Sequence, residues 1–232
     1  MIGELAVSRQ TVRHNEPDHD CTLCPRLRRF ALDNRKAFPG WHNGPVETWY
    51  PLQGPGAVNL LIVGLAPGLR GANRTGIPFT GDESGTLLYE TLARHGFAEN
   101  GLHSGSTDRP LLQGTAITNA VRCVPPQNKP LGAEINTCRG FLVATISRLP
   151  GLKVIVTLGR ISHESTIRAL GGKAARHPFA HAAETEASGV HVISSYHCSR
   201  YNTNTGRLTQ EMFDMVFEKA ARAIGPGPEP LA

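Results

Sequence analysis

Four short apolar segments recur along the chain. Apolar runs of this length, bounded by glycine or polar residues, are typical of strands that are buried in a parallel sheet. The predicted strands are VNLLIVGL at 58–65, TAITNAV at 115–121, KVIVTLG at 153–159 and VHVISSYH at 190–197.

Each predicted strand is followed by a segment with the composition or the apolar spacing of a helix. These segments are SGTLLYETLARHG at 84–96, GAEINTCRGFLVATISRL at 132–149, ISHESTIRALGG at 161–172 and LTQEMFDMVFEKAARAI at 208–224. Regular alternation of strand and helix predicts an α/β fold, with a mostly parallel four-stranded sheet and helices on both of its faces. In such sheets ligands bind at the carboxyl ends of the strands.

The composition indicates a globular protein with one core. The 232 residues are 40% hydrophobic and 19% charged, which predicts a single domain over 1–224 and a disordered Gly- and Pro-rich tail at 225–232. No apolar run approaches the roughly 18 residues of a membrane helix, so we expect no membrane span. The first residues lack the pattern of a leader peptide and five cysteines are too few for a disulfide scaffold, so we expect a cytoplasmic protein.

The charge balance permits a polyanionic partner without requiring one. Lys and Arg number 24 against 19 Asp and Glu, a formal net charge of +5. Aromatic residues make up only 6% of the chain, which favours binding to a duplex backbone over stacking along a single strand.

The cysteines suggest a metal site. Cys21 and Cys24 form a C-x2-C pair at the start of a predicted helix, CTLCPRLRRFALDN, and a lone pair of this kind is as consistent with two incidental thiols. Cys123 follows a predicted strand, and Cys138 lies on the apolar face of a predicted helix. Four such thiolates can hold either tetrahedral zinc or an iron–sulfur cluster, and their spacing does not decide between the two. Cys198 is left over, and we expect it to be a small buried residue.

A glycine-rich loop, GLAPGLRGANRTGIPFTGDESG at 64–85, follows the first predicted strand. It matches neither the dinucleotide-binding fingerprint nor the phosphate-binding P-loop. What it offers is close approach of backbone amides to a ligand, the aromatic ring of Phe79 and the carboxylates of Asp82 and Glu83. Asp82 or Ser84 is also the expected N-cap of the following helix, so a capping role competes with a chemical role for Asp82.

The fourth predicted strand ends at His197, where the ligands of a parallel sheet bind, and this position favours a catalytic role over a structural one. Arg200, Tyr201, Asn202 and Asn204 follow in a loop rich in hydrogen-bond donors. Such a loop can bind phosphates or enter a groove of DNA.

Taken together, these motifs resemble one known family. The glycine-rich loop, TNAVRCVPPQNKP at 118–130, the four cysteines and SYHCSRYNTNTGRLT at 195–209 are similar to the family-5 (type B) uracil-DNA glycosylases. The resemblance covers roughly residues 20 to 220. It implies a three-layer α/β/α sandwich, a 4Fe-4S cluster, and removal of a damaged base from DNA by a protein that acts as a monomer.

The resemblance also implies roles for individual residues. The cluster ligands fall on Cys21, Cys24, Cys123 and Cys138. Phe79 takes the position of the aromatic that stacks on the extruded base, Asn119 that of the amide that binds its edge, and His197 that of the histidine near the base O2. Asp82 matches the residue to which this branch assigns catalysis. The remaining predicted substrate contacts are Gly64, Ala66 and Gly68, and the predicted DNA contacts are Asn73, Arg200, Tyr201, Asn202 and Asn204.

Two positions depart from related glycosylases. Cys198 stands where proline is frequent, which leaves the first turn of the DNA-contacting loop less restrained. Ala66 is apolar where other branches of the superfamily place Asp or Asn to activate water, so Asp82 has to serve that purpose.

The implied reaction is hydrolysis of the N-glycosidic bond of uracil, and of other deaminated bases such as hypoxanthine or xanthine, to leave an abasic site. Two rival classes are an iron–sulfur protein that binds nucleic acid without catalysis, and a relative that traps DNA covalently through a histidine. The second needs a histidine after the strand-end motif, and SRYNTNTGRLT contains none.

Overall fold

The computed structural model describes residues 16–99, 101 and 109–225 of the chain. The tail predicted at 225–232 lies outside the described residues except for Gly225, at which the last helix ends. Within the described part, no helix is long and apolar enough to cross a membrane.

A five-stranded sheet forms the centre of the fold, with the order β2-β1-β3-β5-β4. The strands are β1 (Leu60–Gly64), β2 (Thr115–Asn119), β3 (Val154–Leu158), β4 (Glu184–Ala187) and β5 (Val190–Ser195). Four of them pair in parallel, as predicted, and β4 pairs antiparallel with β5 at one edge. The predicted count of four was therefore wrong by one. The sequence ETEA of β4 is mostly exposed and polar, so this edge strand has no apolar run that would reveal it.

Seven α-helices surround the sheet in the described part of the chain. Their bounds are α1 (Pro25–Ala37), α2 (Ala72–Thr75), α3 (Glu83–Arg94), α4 (Gly132–Ser147), α5 (Arg160–Ala169), α6 (Arg200–Asn204) and α7 (Gln210–Ile224). Helix α1 begins later than the C-x2-C pair, since Pro25 occupies its first turn and Cys24 is its N-cap. The short helices α2 and α6 were not predicted.

Alternating strand residues pack into two separate cores, which gives the predicted three-layer α/β/α sandwich. On one face Leu60 and Ile62 of β1 pack with α3 and α7. On the other face Leu61 and Val63 pack with α4 and α5. The α/β fold class is therefore confirmed. Because β2 and β3 lie on opposite sides of β1, the chain changes direction across the sheet at the carboxyl end of β1, where α/β proteins bind their ligands.

A third, smaller apolar cluster attaches α1 to the rest of the fold. Leu27 of α1 packs against Val121, Cys138 and Phe141. At its edge the guanidinium of Arg26 donates to both carboxylate oxygens of Glu134, at 2.8 and 2.7 Å. This cluster places the cysteines beside the loop that follows β2.

Candidate active site

A pocket of about 460 Å³ opens at the carboxyl ends of the parallel strands, at the point where the strand order reverses. Its volume is in the range of small-molecule sites. Its walls come from the segments after β1, β2, β3 and β5, so residues far apart in sequence meet there. The wall residues that the sequence predicted are Ala66, Gly68, Phe79, Asp82, Asn119 and His197.

Phe79 is held in the pocket wall by close contacts with two glycines. A Cβ atom on Gly64 would collide with the Asn119 side chain and lie 2.7 Å from the Phe79 ring. A Cβ atom on Gly85 would collide with the Phe79 carbonyl oxygen. Phe79 itself has φ of 56°, a conformation that costs free energy for a residue with a side chain. The surrounding packing has to maintain this conformation, which aims the ring at the pocket.

A buried hydrogen bond fixes the chain next to Phe79. The Tyr89 hydroxyl of α3 is fully buried and donates to the Pro78 carbonyl at 2.7 Å. Because a lost partner would leave this carbonyl unsatisfied in the core, the bond constrains the loop strongly. The glycine-rich segment is therefore an ordered wall.

Asp82 has two oxygens in different environments. Its Oδ1 accepts from the backbone N–H of Ser84 at 3.0 Å, which makes Asp82 the N-cap of α3. Its Oδ2 lies beside Gly68 and Gly71, where a Cβ atom on Gly68 would lie 2.9 Å from it. Burial raises the pKa of the carboxyl, although hydrogen bonds from Ser84 and Gly85 oppose the rise. Asp82 therefore caps α3, as the sequence suggested, but the cap uses only Oδ1 of its two carboxylate oxygens.

His197 lies just after β5, with its ring stacked near Phe79 at a centroid distance of 5.9 Å and an interplanar angle of 28°. Burial lowers the pKa of its imidazole to about 4, so the ring is neutral at neutral pH. Nδ1 is buried and has no hydrogen-bond partner within the described residues. A neutral ring that keeps its proton on the other nitrogen, Nε2, has a donor to offer to a ligand.

Asn119 ends β2 opposite Gly64. Asn119 is buried and lines the pocket, and its amide makes no hydrogen bond to another side chain within the described residues. An amide offers both a donor and an acceptor, so a planar ligand stacked on Phe79 would find both within one side chain. Ala66 contributes only a methyl group to the wall, which cannot orient water.

The predicted DNA-contacting residues occupy different environments. Tyr201, at 73% exposure, projects from α6. Arg200 pairs with Glu83 at 3.1 Å, but both side chains are exposed and such pairs contribute little to stability. The exposed Asn204 ends α6. Asn202 instead donates to the His197 carbonyl at 2.8 Å, so its amide supports the histidine from within the protein.

Asn73 does not lie where the sequence predicted. It is fully buried in α2, and its Nδ2 donates to Asn43 Oδ1 at 3.0 Å. A side chain without exposed surface cannot contact DNA in this conformation, so the prediction for Asn73 conflicts with the structure. Helix α2 folds the middle of the glycine-rich segment inward, and the sequence ANRT carries too little periodicity to reveal it.

Four of the five cysteines face one small cavity of about 20 Å³. Burial, together with charges on the neighbouring thiols, raises the pKa of Cys24 to about 11, and burial raises that of Cys138 to about 11. Within residues 16–99, 101 and 109–225, no three His, Cys, Asp or Glu side chains are arranged to hold a single metal ion. The cysteines Cys21, Cys24, Cys123 and Cys138 therefore share one cavity without forming such a group.

A buried arginine, Arg122, adjoins this cavity, and it was not identified from the sequence. The Arg122 backbone N–H donates to the Cys138 sulfur at 3.2 Å. Its guanidinium is fully buried, donates to Thr48 and Thr145, and lies 3.0 Å from a Glu16 carboxylate oxygen. A buried charge is tolerated when it is paired with an opposite charge. The pair between Arg122 and Glu16 also links residue 16 to the centre of the fold.

The pocket wall contains further residues that sequence reasoning missed. Arg160, Ile161 and Ser162 form the first turn of α5 and line the pocket together with Asn128. Arg160 directly follows the third predicted strand, so the rule that ligands bind at strand ends could have identified it. Asn128 lies in an irregular loop after β2, with φ of 55°, and no sequence pattern marks it.

Comparison with known proteins places this geometry in a family. Residues 51–221 match the sequence profile of the Uracil DNA glycosylase superfamily. The chain is 41% identical over 213 residues to a Type-5 uracil-DNA glycosylase of Thermus thermophilus, an alignment that covers 88% of this chain and 94% of the relative. It is 38% identical to a protein of the same name from Mycobacterium tuberculosis, over 88% of this chain and 78% of the relative. A third, from Pyrobaculum aerophilum, is 33% identical over 89% of this chain and 90% of the relative.

The environment of His197 predicts its titration. Because burial lowers the pKa of the imidazole from 6.5 to about 4, we expect NMR to show a neutral ring throughout the range from pH 8 to about 5. Comparison with His197→Gln assigns the resonance. Protonation with a midpoint near 6.5 would contradict the buried position of the ring.

Proposed function

The chain belongs to the uracil-DNA glycosylase superfamily, and on that premise we propose that it removes uracil from DNA by hydrolysing the N-glycosidic bond. The observation that carries the proposal is the convergence of Phe79, Asp82, Asn119 and His197 on one pocket at the strand ends. The three named relatives are all Type-5 uracil-DNA glycosylases, which supports the same reaction class. Each of the four residues has a role that follows from its surroundings.

Phe79 receives the base. A nucleotide inside a duplex has to leave the stack before its glycosidic bond can be attacked, at a cost of a few kcal/mol. The Phe79 ring, fixed by its contacts with Gly64 and Gly85, offers a flat apolar surface on which an extruded base stacks. Tyr201, exposed on the nearby helix α6, is the side chain that we propose to enter the space vacated by the base.

Asn119 binds the edge of the base. Uracil presents an N–H donor next to a carbonyl acceptor, and one amide can pair with both. Hypoxanthine and xanthine present a similar donor and acceptor, and stacking on Phe79 does not depend on base identity. We therefore propose that the pocket also accepts these deaminated purines.

His197 stabilises the leaving base. As the bond breaks, negative charge develops on uracil and its O2 needs a hydrogen-bond donor. The neutral imidazole, with its proton on Nε2, supplies this donor. Because the ring is already buried and Asn202 holds the His197 backbone carbonyl, little reorganisation is needed when the charge appears.

Asp82 activates the attacking water. Burial raises the pKa of its carboxyl, which makes the carboxylate a better acceptor for a proton as water attacks. The C1′–N bond breaks, the water oxygen bonds to C1′, the water proton passes to Asp82, and the base departs as an anion held by His197. The products are a free base and an abasic site. The negative carboxylate also stabilises the positive charge that develops on the sugar.

We further propose that Cys21, Cys24, Cys123 and Cys138 hold a 4Fe-4S cluster. Support comes from their shared cavity and from the donor set, which consists only of thiols. When bound, the cluster would supply no step of hydrolysis and would join three segments of chain around the loop after β2.

Base release from defined duplexes tests the proposed reaction. We expect single-turnover release of uracil, and release of hypoxanthine and xanthine, with no release of adenine from a control duplex. Phe79→Ala should slow release of every substrate together, because stacking is common to all bases. Asn119→Ala should change the order of preference, because the amide binds an edge that differs between bases. An order that survives Asn119→Ala would contradict its assigned role.

Iron analysis tests the cluster. We expect about four iron atoms per chain and broad absorbance near about 400 nm. Cys123→Ala should lose iron and unfold at lower temperature, because three chain segments are no longer joined. Cys198→Ala is the matched control, since Cys198 is a buried thiol that donates to the Ser84 carbonyl and does not line the cavity of the other four cysteines. One zinc ion per chain and no iron would refute the cluster.

A further inference from the structure

A second cavity, of about 360 Å³, adjoins the base pocket. The two cavities share three wall residues, Gly159, Arg160 and His197, so they lie side by side. The other residues of its wall are Phe179, Ala180, Tyr196, Asn202 and Arg207. None of the residues of this wall is acidic, and two of them are arginines.

Both arginines are positioned by aromatic rings. The Arg160 guanidinium lies over the Phe179 ring, 5.4 Å from its centroid. The Arg207 guanidinium lies over the Tyr196 ring at 4.8 Å, and His181 stacks near Tyr196 at 5.1 Å with an interplanar angle of 20°. A guanidinium on an aromatic face keeps its N–H groups directed outward in its own plane.

The charges of these arginines are available to a ligand. Both side chains belong to exposed residues, and neither forms a salt bridge with a carboxylate in the part of the chain that the structure describes. An extended side chain loses rotamer freedom when it binds. Packing on Phe179 and Tyr196 already restricts the two arginine side chains before a ligand arrives. They therefore lose less rotamer freedom on binding, which favours binding of an anion.

We propose that Arg160 and Arg207 bind two backbone phosphates of the damaged strand, next to the nucleotide whose base enters the pocket. The inference rests on the proposed function, because a strand that delivers its base past His197 has to lead its phosphodiester backbone along the adjoining walls. Planar guanidinium groups suit phosphate oxygens, with two N–H groups directed to one phosphate. The contacts are independent of sequence and would hold the strand while the base is out of the stack.

The salt dependence of DNA binding measures these contacts directly. Each phosphate neutralised contributes about 0.9 to the slope of log K against log salt concentration for duplex DNA. The probe is a duplex with one 2′-fluoro-2′-deoxyuridine, whose fluorine slows cleavage so that binding can be measured at equilibrium. We expect Arg160→Gln and Arg207→Gln each to reduce the slope by about one, and the double variant by about two.

Arg222→Gln is the matched control. Arg222 is exposed near the carboxyl end of α7, whose last residue, Ile224, accepts from the Lys153 ammonium at 2.8 Å. Lys153 precedes β3, so Arg222 lies at the edge of the sheet opposite the pocket. Its substitution should leave the slope unchanged. Arg160→Lys and Arg207→Lys should keep the slope, since the charge remains, while affinity falls because the planar fork is lost.

Three outcomes would overturn the proposal: a double Gln variant with the parental slope, an equal loss in Arg222→Gln, or no measurable DNA binding by the parental protein. Uracil release by the parental protein is measured separately on an ordinary deoxyuridine duplex. A parental protein that shows the predicted loss of slope in its Gln variants but releases no uracil would refute the proposed function and support the phosphate contacts.

Discussion

The close approach of Phe79 to two glycines is the constraint on which the pocket depends. Gly64 leaves room for the ring and for the Asn119 amide, and Gly85 leaves room for the Phe79 carbonyl. A side chain at either glycine would displace the ring. The ring in turn provides the face near which His197 stacks, and in the proposed reaction a base would stack parallel to that face, so base recognition and stabilisation of the leaving group would share one reference surface.

The sheet then brings the chemistry to that surface. Parallel strands present their carboxyl ends at one edge, and the reversal of strand order leaves a space between the segments that follow β1 and β3. Asp82 couples this space to helix α3, since one oxygen caps the helix while the other faces the glycine-rich segment. Loss of the whole side chain would thus affect both folding and chemistry, whereas replacement of the carboxylate by an amide preserves the capping oxygen and separates the two.

Strand-end positions could be predicted from the sequence because apolar runs show where parallel strands stop. His197 was found in this way, whereas Asn119, which also ends a strand, was identified only through the family resemblance. Asn73 could not be placed, because the glycine-rich segment has no periodicity from which the inward fold of α2 could be inferred. The edge strand β4 escaped detection for a related reason, since its polar residues face solvent. Arg160 follows a predicted strand and could have been identified by the same rule, whereas its place in one cavity wall with Arg207 required the fold.

Uracil release by Asp82→Asn, measured together with its thermal melting, tests most sharply whether the Asp82 carboxylate acts in hydrolysis. The amide keeps an oxygen for the Ser84 N–H but removes the negative charge beside the sugar. We expect the melting temperature of Asp82→Asn to change little and its affinity for DNA to be preserved. Its single-turnover uracil release should be slower by about a hundredfold or more. Release at the parental rate would contradict the account, because it would show that the charge of Asp82 is not needed for hydrolysis and that the residue is only a helix cap, which Asn supplies equally well.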